Sequence, residues 1–244
     1  MIPIAERMPL LAVVSCAMPA DALENLRHMT AAVILLPPDP LLPAPVASHA
    51  DMLLFSLGDA LVTHRSYYET ARTEMDSILR MAGLRLVLTD CPRGDTYPLD
   101  IGLNALLCGR YLFGRLDALA PEIPVLAEEH GITPVSIRQG YAGCSGLVIN
   151  GAVITADPSL TGAANDRGIP VISVSDKEIR LPGYDHGFIG GCGGVWQNEI
   201  FLCGTMPAET FTDFAHHPGL RGVKIHMLSR NPLYDCGGIK LFPL

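Results

Sequence analysis

The sequence predicts an α/β fold of five pseudo-symmetric units, each with the plan strand, hairpin turn, strand, helix, strand. Three observations predict it. The starting residues of the units, at positions 51, 100, 144, 192 and 236, follow one another in steps of 49, 44, 48 and 44. A period of this length, in copies too small to bury their own apolar face, marks a propeller-like ring. The last eight residues, G-G-I-K-L-F-P-L, read as a strand with no local partner, whereas the first forty lack the first strand of the plan. Pairing the C-terminal strand with the N-terminal segment completes a fifth unit and closes the ring. The units are then 1–40 plus 234–244, 49–90, 97–140, 141–176 and 185–230, all in one domain.

In the first unit, residues 10–15 form a continuous apolar run that reads as a buried strand. Pro19 opens a helix carrying Leu23, Leu26 and Met29, residues 31–36 are the next strand, and a proline-rich connector follows. Val13, Val14, Ser15 and Cys16 faintly resemble a lipoprotein cleavage site, but Glu6 beside Arg7 is not the basic cluster of a leader, and a secretory signal is not expected.

The second unit runs through a strand at 52–55, a turn at Gly58 and a strand at 60–63. Ser66 to Glu69 has capping-box form. Tyr68, Ala71, Met75, Ile78 and Ala82 make a helical stripe that Gly83 terminates, before a strand at 84–88. In the third unit, strands at 101–107 and 111–113 flank a turn at Gly109; Pro121 and Pro124 restrict the next helix to a short one, and 132–137 is strand-like. The fourth unit has strands at 147–149 and 152–155 around Asn150-Gly151, a strong hairpin signal, then a helix capped by Asp157 with Pro158 behind it, and a strand at 171–174. In the fifth, strands at 195–196 and 199–202 precede a helix opened by Pro207 and a strand at 223–227.

Composition narrows the function. A hydrophobic content of 49% with 17% charged residues describes a core-rich chain. A net charge of -8, with Lys and Arg scattered, argues against a nucleic-acid surface, and no apolar run is long enough for a membrane span. Seven cysteines without C-x-x-C spacing do not form a disulfide or zinc framework, which suits a cytoplasmic protein.

Two segments carry a family resemblance. His49-Ala50-Asp51 through Phe55, with Asp59 and His64 downstream, is similar to the H-x-D-x-x-F segment of arginine deiminases. Thr133-Pro134-Val135-Ser136 through Gly140-Tyr141-Ala142-Gly143-Cys144-Ser145 resembles the end of dimethylarginine dimethylaminohydrolases, where the nucleophilic cysteine lies. The chain thus resembles the guanidine-modifying, or pentein, superfamily, five-bladed enzymes that also include agmatine deiminases and amidinotransferases. With the nucleophile mid-chain, its blades would be circularly permuted.

The resemblance implies Cys144 as nucleophile, His49 as acid/base, and Asp51 and Asp235 as carboxylates holding a planar cation, with no metal and no cofactor. Asp235, in Asp235-Cys236-Gly237-Gly238, falls where arginine deiminases carry E-G-G. Gly191 sits where the family carries the aspartate of its F-x-R-D segment, a departure from standard recognition of an arginine-like guanidinium. Asp100, Tyr141, Asp185, His186, Phe188 and Gly191 complete the expected substrate site, with His186 as substitute acid.

The chemistry is self-sufficient: a thiolate attacks the guanidinium carbon, a histidine protonates the leaving amine and then activates water, and carboxylates hold the charge. A nucleophilic Cys144 implies a pKa below that of a free thiol and faster alkylation than Cys108 or Cys203. Cys192 and Cys236 begin equivalent units and are the alternative nucleophiles, whereas Cys16, Cys108 and Cys203 read as small buried hydrophobes. Gly190 to Gly194 precede a strand and lack the Lys-Ser/Thr ending of a phosphate loop, and His216-His217 have no ligand-like companions. The expectation is a hydrolase or transferase for a small guanidino or amidino compound. The alternative is a non-catalytic binding protein of the same fold.

Overall fold

The computed structural model describes residues 8–244; Glu6 and Arg7, which weighed against a leader, lie outside them. In chain order the elements are β1 (Met8–Ser15), α1 (Ala20–Met29), β2 (Thr30–Leu36), α2 (Ala50–Leu53), β3 (Phe55–Leu57), β4 (Ala60–His64), α3 (Arg65–Thr70), α4 (Arg72–Ala82) and β5 (Arg85–Thr89). They continue with β6 (Leu106–Cys108), β7 (Tyr111–Gly114), α5 (Glu122–Glu129), β8 (Thr133–Ser136), α6 (Ala142–Ser145), β9 (Gly146–Ile149), β10 (Ala152–Thr155), α7 (Pro158–Asn165) and β11 (Val171–Ser173). The last are β12 (Gly193–Trp196), β13 (Glu199–Leu202), α8 (Ala208–Ala215), β14 (Lys224–Met227) and β15 (Lys240–Pro243).

The strands make five three-stranded sheets of one pattern: an antiparallel pair, then a parallel third strand that returns after a helix. In the sheet that spans the chain ends, β15 takes the first-strand role, pairing antiparallel with β1 in the register Leu10 to Pro243 through Val13 to Lys240. First strands of different sheets adjoin one another: β9 lies against β6 and β12, and β12 against β15. The apolar side chains fill the spaces between sheets; Met75 and Ile78 of α4, for example, pack with Leu11 and Val13 of β1 and Leu61 of β4. Among the described residues no helix is long and apolar enough to cross a membrane.

Several local expectations change. Residues 50–53 form a single helical turn, not a strand, because the His49 carbonyl accepts from the Met52 and Leu53 N–H groups and the Asp51 N–H is tied to the Gly237 carbonyl. The run at 101–107 is strand only from Leu106, since Asn104 turns back on the Ile101 carbonyl. No side chain caps α3, so the capping box at Ser66 does not form. Pro124 is tolerated within α5 because it sits in the first turn, where its missing N–H has no intrahelical partner. Cys16 is exposed rather than buried.

Candidate active site

Three corners of the chain meet. His49 and Asp51 flank the start of α2, whose Asp51 N–H donates to the Gly237 carbonyl at 2.9 Å. The C-terminal corner holds Asp235, whose carboxylate accepts from the Phe188 N–H at 2.8 Å and the Gly237 N–H at 3.0 Å. Gly237, at φ +79°, lets the chain pass so close to His49 that a Cβ there would fall within the His49 side chain. The Nδ1 of His49 lies 3.7 Å from Asp235 Oδ1. The third corner is α6, which carries Cys144.

Asn104 binds the corners together. Its side-chain N–H groups reach Cys144 Sγ at 2.9 Å and the Asp51 carbonyl at 3.1 Å, while its Oδ1 accepts from the Gly143 and Cys144 N–H groups at 2.7 and 3.2 Å. Sequence reasoning missed this residue. Its one signal was a lone amide inside the apolar run 101–107, and a fully buried amide must find partners.

His49, Cys144 and Asp235 line one cavity of about 260 Å³ together with Asp100, Tyr141, Asp185, His186 and Phe188. Of the expected site residues these eight are brought together. Val46, Met52, Leu181 and Tyr184 complete the wall without having been foreseen. The Tyr141 hydroxyl donates to Asp100 Oδ2 at 2.7 Å, and the Tyr141 and Phe188 rings stack at 6.1 Å. Asp51 lies behind this cavity, beside the Cys144 thiol, and lines a second one of about 160 Å³ with Gly143, Gly190 and Gly238. Gly191 lines neither; a Cβ on it would fall within the Asp235 carboxylate.

The other thiols face away. Cys192 Sγ donates to the Phe188 carbonyl at 3.2 Å within the core between β9 and β12, and Cys236 packs with Cys203 and Phe201. Neither lines the cavity that holds His49 and Asp235. A larger cavity of about 520 Å³, lined in part by Arg180, Arg230 and Met206, contains neither thiol nor imidazole.

The electrostatics follow from burial of several acids together. Cys144, 4% exposed, has its thiol pushed well above the usual range by burial and by the Asp51 and Asp235 carboxylates, with the Asn104 N–H pulling the other way. This reverses the depressed pKa expected of a nucleophile. Asp235 is pushed up to about 7 by burial and by Asp51. Burial holds His49 below its ordinary value, opposed by the Asp51 charge. Both Asp51 carboxylate oxygens are buried without a hydrogen-bond partner. Such a cluster stabilises a cation placed among the carboxylates, and that cation would in turn favour the thiolate.

The chain is similar to a dimethylarginine dimethylaminohydrolase solved as an adduct with S-methyl-L-thiocitrulline, at a TM-score of 0.58 and 9% identity over 91% of this chain and 92% of that one. It is similar to the N-terminal domain of ArgZ, an arginine dihydrolase from cyanobacteria, solved with bound product: TM-score 0.56, 13% identity, 94% of each chain. SxtG, an amidinotransferase from Microseira wollei, aligns at a TM-score of 0.51 and 10% identity over 81% of this chain and 67% of that one. No curated protein matches. The chain belongs to the family of unknown function DUF6873, whose model matches residues 13–240.

Proposed function

We propose that this protein is a cofactor-independent cysteine hydrolase or transferase acting on a small guanidino or amidino compound through a covalent adduct on Cys144. The observation that carries the reading is the meeting of one thiol, one imidazole and one carboxylate, Cys144, His49 and Asp235, in one cavity with Asp51 behind the thiol. The likeness to a dimethylarginine hydrolase adduct and to ArgZ, also solved covalently bound to a reaction intermediate, supports it at the level of fold. In this reading the five sheets are blades of one ring in a single domain, closed by the β15–β1 pair, with their order permuted so that the nucleophile falls mid-chain.

The substrate cation sits beside Asp235, within the field of Asp51 behind the thiol, and offsets their repulsion of a thiolate. The Cys144 proton passes to His49, and Sγ bonds to the central carbon of the amidine. His49 returns that proton to the departing nitrogen as the C–N bond breaks, releasing ammonia or an amine. His49 then takes a proton from water, the resulting hydroxide adds to the adduct, the C–S bond breaks, and the proton returns to sulfur. An amine in place of water gives transfer instead of hydrolysis. Asn104, by donating to Sγ, steadies the thiolate.

A panel of guanidino and amidino compounds, followed by ammonia or amine release and by intact mass after acid quench, tests this. The expected result is turnover of at least one compound, a Cys144-bound adduct, and loss of both in Cys144→Ser. A non-catalytic binding protein is the second reading, favoured by the upward-shifted Cys144 thiol; it predicts saturable ligand binding, unchanged in Cys144→Ser, with no adduct.

A further inference from the structure

We infer that the ligand of the Cys144 cavity carries a second positive charge and no carboxylate: an amine-tailed guanidino or amidino compound rather than an α-amino acid. The inference rests on the guanidino reading above and concerns the far end of the same ligand. Among the described residues, those lining the cavity include no lysine and no arginine; its basic groups are the His49 and His186 imidazoles, set against three carboxylates. Arg93, which does not line the cavity, is paired through one nitrogen with Asp39, its Nε and Nη1 being buried without a partner. Arg115 lies over Tyr97, whose ring is 5.7 Å from Tyr141, and pairs with Asp117 at 3.1 Å.

The cavity wall has the opposite character. Besides Asp235 it carries Asp100 and Asp185. Asp100 is 7% exposed; its Oδ2 takes the Tyr141 hydroxyl, but its Oδ1 is buried with no hydrogen-bond partner. A carboxylate oxygen left so is costly unless something donates to it, and an ammonium is the strongest such donor. Tyr141, Phe188 and the half-exposed Tyr184 add aromatic surface around it, which favours a cation over an anion. An incoming carboxylate, by contrast, would face Asp100, Asp185 and Asp235 with only the two imidazoles to offset them.

Three probes sharing one guanidinium and one chain length separate the possibilities: 4-aminobutylguanidine, butylguanidine and L-arginine. Their binding is measured by titration calorimetry on Cys144→Ser, which needs no turnover, and their conversion on the unaltered protein. The expected order is 4-aminobutylguanidine tightest, by at least about 10-fold over each of the other two, the discrimination a charged hydrogen bond supplies. Asp100→Asn narrows the ratio between 4-aminobutylguanidine and butylguanidine. L-Arginine binding as tightly as the amine, or butylguanidine matching it, overturns the inference while leaving the guanidino reading standing. Binding by none of the three overturns that reading, and this inference with it.

Discussion

The carboxylate of Asp235 occupies the space beside Gly191 that any side chain there would need. That carboxylate comes from the C-terminal corner, where the Phe188 and Gly237 N–H groups hold it.

That relationship makes the two positions interdependent. Gly191→Ala forces the Asp235 carboxylate aside and is expected to destabilise by about 1–3 kcal/mol, as other overpacked sites do. Combining it with Asp235→Gly removes the clash. Urea unfolding of the two single variants and the double variant should show the double to be more stable than the sum of the singles; additivity would contradict the contact.

Without ligand, Cys144 should be a slow thiol. Burial and two carboxylates hold it protonated at neutral pH, whereas Cys16 is exposed. Timed iodoacetamide labelling at pH 7 with peptide mass mapping should find Cys16 modified first and Cys144 late, its rate still climbing above pH 9. A Cys144 that outpaces Cys16 in the unliganded protein would sink this account of the site.

Replacing Asn104 by Ala leaves the Gly143 and Cys144 N–H groups without their acceptor and Cys144 Sγ without its donor. The expected loss is about 2–4 kcal/mol of stability from unsatisfied buried groups, read by urea unfolding. The Cys144 thiol, stripped of the one interaction that lowers its pKa, titrates higher still in the same variant.

Asp235 predicts a pH signature. Its folded pKa, about 7, lies above its ordinary 3.8, so between those values the folded state holds more protons than the unfolded state. Its contribution to stability is present at about pH 4 and declines as pH rises to about 7. His49 and His64, both held below their ordinary values by burial, act in the opposite direction below about pH 6.5. The difference between the unaltered protein and Asp235→Asn isolates the first effect. The variant should gain relative stability from pH 4 to pH 7, and a pH-independent difference in melting temperature would refute the shift.

Much of the local structure was legible because short-range sterics fix it. Asn150 and Gly151 adopt the positive φ values, 50° and 75°, that a two-residue hairpin turn requires. Gly83 ends α4 at φ 64°, and Asp157 accepts from the Leu160 N–H as an N-cap does. The turn of helix at 50–53 was not legible: four apolar-rich residues suit strand or helix equally, and a hydrogen bond from residue 237 enters the choice. Asn104 was hidden for the same kind of reason, its partners lying at positions 51, 143 and 144.

The sequence by itself determined the repeating order of hairpin, helix and strand, and nominated the thiol, imidazole and acids, because side-chain period and residue chemistry are written along the chain. Tertiary structure decided which of those groups meet and in what protonation state. It turned Cys192 and Cys236 into the core, set Cys144 in one cavity with His49 and Asp235, and raised the thiol instead of lowering it. Desolvation and charge act through space, so they depend on neighbours that the linear order does not reveal.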